Sequence, residues 1–248
     1  MRTDVARAPY AEDMCGRFVV ARVGSELASV LHAEIVPDDL PSPSFNIAPT
    51  AQPTIVLDSA KTEPPTRRLA SARWGLVPAW AKDPSVGARA FNARSEEAAE
   101  KPTFRDALVS RRAVIPASGY YEWQGATGDK TPHFIRPENG EPLFFAGLYE
   151  WWKDPSRPAD DPGRWLLTFT ILTRSAVGGL AEIHDRMPLM IDAEYADVWL
   201  DPTTEYPADL LDAVADAAPS VVDTLTWFAV GSAVGNVRND DPSLIEPA

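Results

Sequence analysis

Residues 111–123 read RRAVIPASGYYEW. Two runs, Arg111–Ile115 and Tyr120–Trp123, are rich in β-branched and aromatic side chains, with Pro116 and Gly119 between them. That composition predicts two strands. Outward from this stretch the same kind of run recurs at Thr54–Leu57, Arg67–Trp74, Leu143–Tyr149, Leu166–Leu172 and Thr224–Val230, bounded by Pro, Gly or Asp, and Met14–Val20 opens like another. Leu27, Val30 and Leu31 fall at helical spacing within 24–33, and short helices are expected at about 95–108, 193–200 and 207–217. Strands that follow one another without regular helical crossovers predict an α+β fold. We expect a single domain with a mainly antiparallel, barrel-like central β-structure and short peripheral helices. The segment 153–163, KDPSRPADDPG, reads as an exposed loop between two strands. Residues 1–13 have mixed charge and no apolar centre, and predict a disordered extension rather than a signal peptide.

Of the 248 residues, 45% are apolar and 24% charged, which suits a globular protein with a real core. Twenty-four Pro against 14 Gly predict stiff turns and few long helices. A single Cys excludes an intrachain disulfide scaffold, and one Cys with three His is poor material for a zinc site. No apolar run is long enough to span a bilayer. The net charge of −13 argues at first against a nucleic-acid partner. Its distribution argues otherwise: residues 189–248 hold twelve acids and one base, whereas residues 67–112 hold ten Lys/Arg and five acids.

Cys15 is the only thiol. A free Cys is by default a small buried hydrophobe. Its position directly after Met14 suggests another role, because loss of residues 1–14 would make it N-terminal. An N-terminal Cys carries an α-amine, partly neutral at pH 7, beside its thiol. With an aldehyde that pair forms an imine and then closes a thiazolidine ring, which a mid-chain Cys cannot do. His184, in EIHDRMP at 182–188, is flanked by charge and suits proton exchange near neutrality, whereas His32 and His133 look incidental in helix-like and loop-like contexts. Glu122 lies among aromatics, so desolvation would raise its pKa toward acid–base use; Tyr149-Glu150-Trp151 repeats the motif and weakens it as evidence. Asn92 and Arg94 share one face if extended, an amide and a guanidinium suited to a sugar and its phosphate, and Ser95 could cap the helix that follows. Arg17 and Arg73 are further phosphate candidates. Trp74 and Trp80, beside these arginines, could stack on single-stranded nucleic acid, although most Trp are core residues.

Six blocks occur in order: MCGRF at 14–18, FNIAPT at 45–50, RWGLVP at 73–78, FNARSE at 91–96, RAVIPA with GYYEW at 112–123, and HDRMP at 184–188. Together they closely resemble the SOS-response-associated peptidase (SRAP) family, from Met14 to about residue 235. The resemblance implies a domain over 14–235 with residues 236–248 as a C-terminal tail. It implies a sensor and shield of abasic sites in single-stranded DNA, cross-linked through an N-terminal Cys. By position, Cys15 would be the nucleophile, Asn92 would orient the Cys or the sugar, Glu122 would manage the protons of amine and imine, and His184 would act in opening the sugar ring and in reversal. Arg17 and Arg94 resemble the family's phosphate contacts, with Trp74 and Thr173 as weaker carry-overs. No metal or organic cofactor is required.

The family's Cys directly follows the initiator Met, whereas thirteen residues precede Met14 here. Either the start is assigned too far upstream or the extension is removed; the resemblance also implies an autoproteolytic activity, credited to the family, that exposes the Cys, and the sequence leaves both routes open. The expected mature protein is a cytoplasmic, nucleoid-associated monomer with no membrane partner. The residues leave three other readings open. One is a cysteine peptidase acting mainly on its own N-terminus, with His184 or Glu122 as base. Another is a non-covalent single-stranded DNA-binding module. The third is a lyase, since an imine at that carbon can undergo β-elimination.

Overall fold

The computed structural model describes residues 15–59, 61–126 and 128–248. The extension expected at 1–13 lies outside the described residues. Five strands form a smaller sheet: β1 (Arg17–Val20), β2 (Ser44–Ile47), β8 (Gly119–Gln124), β9 (Thr131–Pro137) and β14 (Leu225–Ala229), in the order β14-β9-β8-β1-β2. The larger sheet holds β3 (Thr54–Ser59), β4 (Thr66–Ser71), β7 (Arg112–Ala117), β10 (Leu143–Lys153), β11 (Trp165–Ser175) and β12 (Arg186–Pro188), ordered β12-β11-β10-β7-β3-β4. Three short strands join it, β5 (Arg73–Trp74) and β6 (Asn92–Arg94) on β11 and β13 (Met190–Ile191) on β10. Pairing is antiparallel except where β5 and β6 run parallel to β11. This is the expected α+β domain with mainly antiparallel sheets. It is barrel-like only loosely, because no pairing between edge strands closes either sheet among the described residues.

The stretch 111–123 is a corner rather than a hairpin. β7 ends at Ala117 in the larger sheet and β8 begins at Gly119 in the smaller one, with Ser118 alone between them. Ser118 secures the corner twice: its N–H donates to Val19 O at 2.7 Å, and its Oγ accepts from Ala21 N–H at 3.0 Å. Only glycine fits at 119, where a Cβ would lie 2.6 Å from Ile135 O and inside the Phe134 ring contact. Pro116 is tolerated within β7 because, opposite Phe144, it falls in the register whose N–H points away from β10, as the Tyr149 N–H to Arg111 O bond sets it, and β3 on the other side pairs only with Ala113 and Val114.

The two sheets face each other across aromatic side chains. Phe18 meets Trp74 at 5.0 Å and Phe145 at 6.2 Å, edge to face, and Tyr120 meets Phe145 at 5.9 Å. On the outer side of the larger sheet lie α3 (Arg105–Ser110), α4 (Ala193–Leu200) and α5 (Pro207–Val222). α5 turns Leu211, Val214, Ala218 and Val222 inward, and Pro219 lies near its end. Arg112 is buried beneath the helices and donates to Leu108 O, Val109 O, Trp199 O and Asp201 O, so one guanidinium satisfies the carbonyl ends of both α3 and α4. The helix expected at 24–33 is α1 (Gly24–Val30), and the one expected at 95–108 divides into α2 (Ser95–Ala98) and α3. The loop at 153–163 connects β10 to β11 as expected, apart from a short 3-10 turn at Pro162–Arg164.

The C-terminal tail, residues 236–248, packs against the smaller sheet. Asn46 Nδ2 donates to Val234 O, Asn236 O and Asn239 O, and Asp240 Oδ1 accepts from Phe45 N–H at 2.5 Å. Leu244 is buried against Val19, Tyr121 and Phe134.

Candidate functional site

Cys15 lies just ahead of β1, whose register with β8 pairs Arg17 with Tyr121 and Phe18 with Tyr120. One step further along, Glu122 meets the start of the strand. Its Oε2 accepts from Cys15 N–H at 2.9 Å and its Oε1 from Trp123 N–H at 3.3 Å. Asn92, on β6, donates from Nδ2 to Cys15 O at 3.2 Å, and its Oδ1 is buried without a partner. Cys15 is therefore gripped at its nitrogen by one sheet and at its carbonyl by the other.

Burial raises the Glu122 carboxyl above its ordinary range; the His184 charge and the Cys15 N–H pull it down without cancelling the shift. The Cys15 thiol is pushed well above its usual value, first by burial and then by the Glu122 charge. The Tyr120 phenol beside both is also raised, mainly by burial. These groups form a desolvated, proton-holding cluster in which a thiol stays protonated while a carboxyl can exchange.

His184 follows a 3-10 turn at Gly178–Glu182 that Gln124 Nε2 anchors through Glu182 O at 2.9 Å. Its ring is nearly buried, and Nδ1 lies 3.1 Å from Arg186 N–H and 3.0 Å from Asp185 Oδ1. The structure thus joins Cys15, Glu122 and Asn92 by hydrogen bonds, and places the His184 charge close enough to be felt at Glu122.

The expected strand contacts divide. Arg17 extends over the Trp123 ring at 5.9 Å, has no carboxylate partner among the described residues, and is lowered in pKa by burial. Arg94 is half-exposed, with Glu97 only at 3.9 Å. Both are cations available to an anion. Trp74 is not available: it is 0% exposed, stacked on Phe169 at 6.2 Å, and its indole N–H donates to Phe91 O at 2.7 Å. A ring used up in the core has no free face for a base. Trp80, 63% exposed, offers one. Thr173 is likewise 0% exposed, with Oγ1 donating to Ala93 O at 3.4 Å, so it serves the frame rather than a strand. Ser95 does not cap α2; it is the helix's first residue and is buried.

His133 lies on β9, not in a loop, directly opposite Glu122 in the ladder. Sequence reading also passed over Glu96 and Arg186. Arg186 grips Glu96 with both terminal nitrogens, at 2.8 and 2.9 Å. The signal for the pair was their presence in the FNARSE and HDRMP blocks, but opposite charges 90 residues apart give no hint that they meet.

No group of three or more His, Cys, Asp or Glu among the described residues is arranged to hold a metal ion, and no helix among them is long and apolar enough to cross a membrane.

A family model described as SOS response associated peptidase (SRAP) matches residues 14–237. The chain is 35% identical over 235 residues to the abasic site processing protein YoqW of Bacillus subtilis (strain 168), covering 94% of this chain and 99% of that one. It is 31% identical to the abasic site processing protein YedK of Escherichia coli (strain K12), covering 94% and 100%. With the abasic site processing protein HMCES of Xenopus tropicalis it shares 30% identity over 81% of this chain and 64% of that one. A crystal structure of a protein from Bacteroides thetaiotaomicron superposes with a TM-score of 0.75 at 21% identity, over 94% of this chain and 100% of that one, a likeness of fold.

Proposed function

The chain belongs to the SOS response associated peptidase family, and from that membership we propose that it processes abasic sites by capturing them covalently, in single-stranded DNA, through Cys15 as the first residue of the mature protein. The hydrogen bond from Cys15 N to Glu122 Oε2 carries this reading. It puts a carboxyl of raised pKa at the nitrogen that must become nucleophilic.

With a free amine at Cys15, Glu122 takes the ammonium proton and the nitrogen attacks C1 of the ring-opened deoxyribose. His184 supplies proton transfer for ring opening. The extra proton on nitrogen passes to the new oxygen, Glu122 returns its proton to the carbinolamine hydroxyl as water leaves, and the iminium gives its N–H proton back to Glu122, leaving an imine. The thiol, kept protonated by burial, then adds through sulfur to the imine carbon while its proton passes to nitrogen, closing the thiazolidine. Closure removes the imine and so suppresses β-elimination. Arg17 and Arg94 hold flanking phosphates, and Trp80 stacks on a base. The sequence of steps uses orientation and proton transfer alone.

The same geometry supports a second activity. While Met14 remains attached, Cys15 N is the leaving nitrogen of the Met14–Cys15 bond: water would add to the Met14 carbonyl, and Glu122, which accepts the Cys15 N–H, would pass a proton to that nitrogen as the bond breaks and a carboxylate is released. Release of the extension by the protein's own site would then precede capture.

The test incubates protein beginning at Met14, its initiator removed, with a single-stranded oligonucleotide containing one abasic site. A heat-stable adduct with loss of one water is expected, and C15A abolishes it. An undiminished ring-closed adduct with C15A overturns the mechanism. Cleaved strands would indicate a lyase. Salt-sensitive binding indifferent to Cys15 would indicate a non-covalent module, and turnover of an unrelated peptide without adduct a general peptidase.

A further inference from the structure

We propose that Glu96 and Arg186 form a positioning pair that holds His184 in one tautomer and ties it to the strand bearing Asn92 and Arg94. The structural part of this inference stands on its own geometry; its consequence for rate rests on the function proposed above.

β12, which begins at Arg186, is three residues long and lies at the edge of the larger sheet. It pairs only with the end of β11, through Ser175, Arg174 and Thr173. So short an edge strand holds its place weakly by ladder bonds alone. Ala176 N–H to Asp185 O at 2.9 Å and Leu189 N–H to Leu172 O at 2.8 Å hold its two flanks, and the guanidinium adds a restraint at residue 186 itself. Nη1 and Nη2 grip the two Glu96 oxygens at 2.8 and 2.9 Å, a fork-on-fork geometry that fixes direction as well as distance. Nη2 also donates to Thr173 O at 2.8 Å and approaches Thr173 Oγ1 at 3.3 Å, while Nη1 reaches Ser175 Oγ at 3.4 Å. Every terminal nitrogen is thus engaged inside the protein, unlike those of Arg17 and Arg94. Glu96 lies in the first turn of α2, two residues after Arg94, so the pair joins β6, β11 and β12 at one point.

The main chain of the same arginine decides the His184 proton. Nδ1 lies between a donor, Arg186 N–H at 3.1 Å, and an acceptor, Asp185 Oδ1 at 3.0 Å. While the clasp holds residue 186 in place, a neutral imidazole accepts at Nδ1 and carries its hydrogen on Nε2. Asp185 is 86% exposed and competes from water. If residue 186 drifts, the alternative tautomer, with Nδ1–H donating to Asp185, becomes accessible. Glu96 is held at a pKa of about 2 chiefly by its bonds to Arg186, so the clasp stays charged throughout the neutral range.

The experiment is 15N NMR of the imidazole nitrogens in the full-length chain, at about pH 8 or above, where an ordinary His is neutral. Only three His are present, so H32Q and H133Q assign the spectrum. Wild-type His184 is expected to show one hydrogen-bearing nitrogen, Nε2. E96Q should move both His184 nitrogens toward a tautomer average while His32 and His133 stay unchanged. Should E96Q fail to fold, E96D, which keeps the charge at shorter reach, is read in the same way. A folded variant with the His184 tautomer intact overturns the proposal, and so does loss of folding in both, which would assign the pair to stability alone. In the cross-linking assay E96Q should lower the rate at saturating DNA on the order of ten-fold while leaving affinity for an intact strand unchanged. If wild type forms no cross-link, the proposed function falls and the tautomer measurement still judges the pair.

Discussion

The backbone nitrogen of Cys15 and the side-chain oxygen Oε2 of Glu122 are joined at 2.9 Å across 107 residues of chain. The contact exists because β1 and β8 lie side by side in the smaller sheet, with Glu122 one position beyond the last paired residue of β8. It ties the backbone of the residue that bears the protein's only thiol to a carboxyl that burial keeps reluctant to ionise.

That reluctance has a measurable cost. A carboxyl whose folded pKa lies above its unfolded value leaves the fold unpenalised below about pH 4 and weakens it as pH rises through the folded pKa. Glu122→Gln is therefore expected to raise the melting temperature at pH 7–8 by a few degrees, about 1 kcal/mol, and to lose that advantage at pH 4. The same substitution should slow cross-linking by roughly 100-fold, the scale of a lost acid–base group. Thermal melts across pH, paired with adduct kinetics, check both halves; a variant less stable than wild type at pH 8 contradicts the first.

The two tryptophans of the 73–80 segment should separate cleanly. Trp74→Leu removes a ring buried among Phe18, Phe91 and Phe169 and leaves Phe91 O with the Ile171 N–H alone, at a cost of about 3–5 kcal/mol. Trp80→Ala should leave the urea midpoint unchanged and weaken single-strand binding by about 1–3 kcal/mol. Equal loss of stability in both would refute the division.

The Glu96–Arg186 pair should show in acid. A carboxylate held at about 2 contributes stability above its ordinary pKa, and that contribution is lost as pH falls through 2. Because half of the Glu96 side chain is open to water, the contribution is discounted to about 1 kcal/mol at pH 7. Urea titrations of wild type and Glu96→Gln should differ by that amount at neutrality and converge near pH 2.

The C-terminal segment should prove structural. Asn46→Ala strips donors from the carbonyls of Val234, Asn236 and Asn239 and should cost about 2 kcal/mol. Deletion of residues 238–248 also removes Leu244 from beneath β1, β8 and β9, and should cost more. Denaturant midpoints measure both; an unchanged midpoint after deletion would show the segment to be dispensable for the fold.

Local pattern alone was enough to mark the longer strands of the larger sheet and the presence of α5, but it passed over β9, which spans Thr131–Pro137. Alternation and composition act over a few neighbours, so Thr54–Leu57, Leu143–Tyr149 and Leu166–Leu172 declare themselves without partners. A thiol next to a possible chain start is legible in the same way. Tertiary structure decided the rest. RRAVIPASGYYEW could not show that its two strands enter different sheets, because that depends on which distant strands pair with each. Trp74 and Trp80 have the same chemistry and nearly the same neighbours, yet β5 pairs with β11 and buries one, while the other lies beyond the pairing. Arg17 and Arg186 look alike on paper, and only the fold leaves the first without a carboxylate among the described residues and gives the second Glu96. The physical reason is common to all three: exposure and ion pairing are properties of contacts between segments far apart in the chain, and no short-range pattern encodes them.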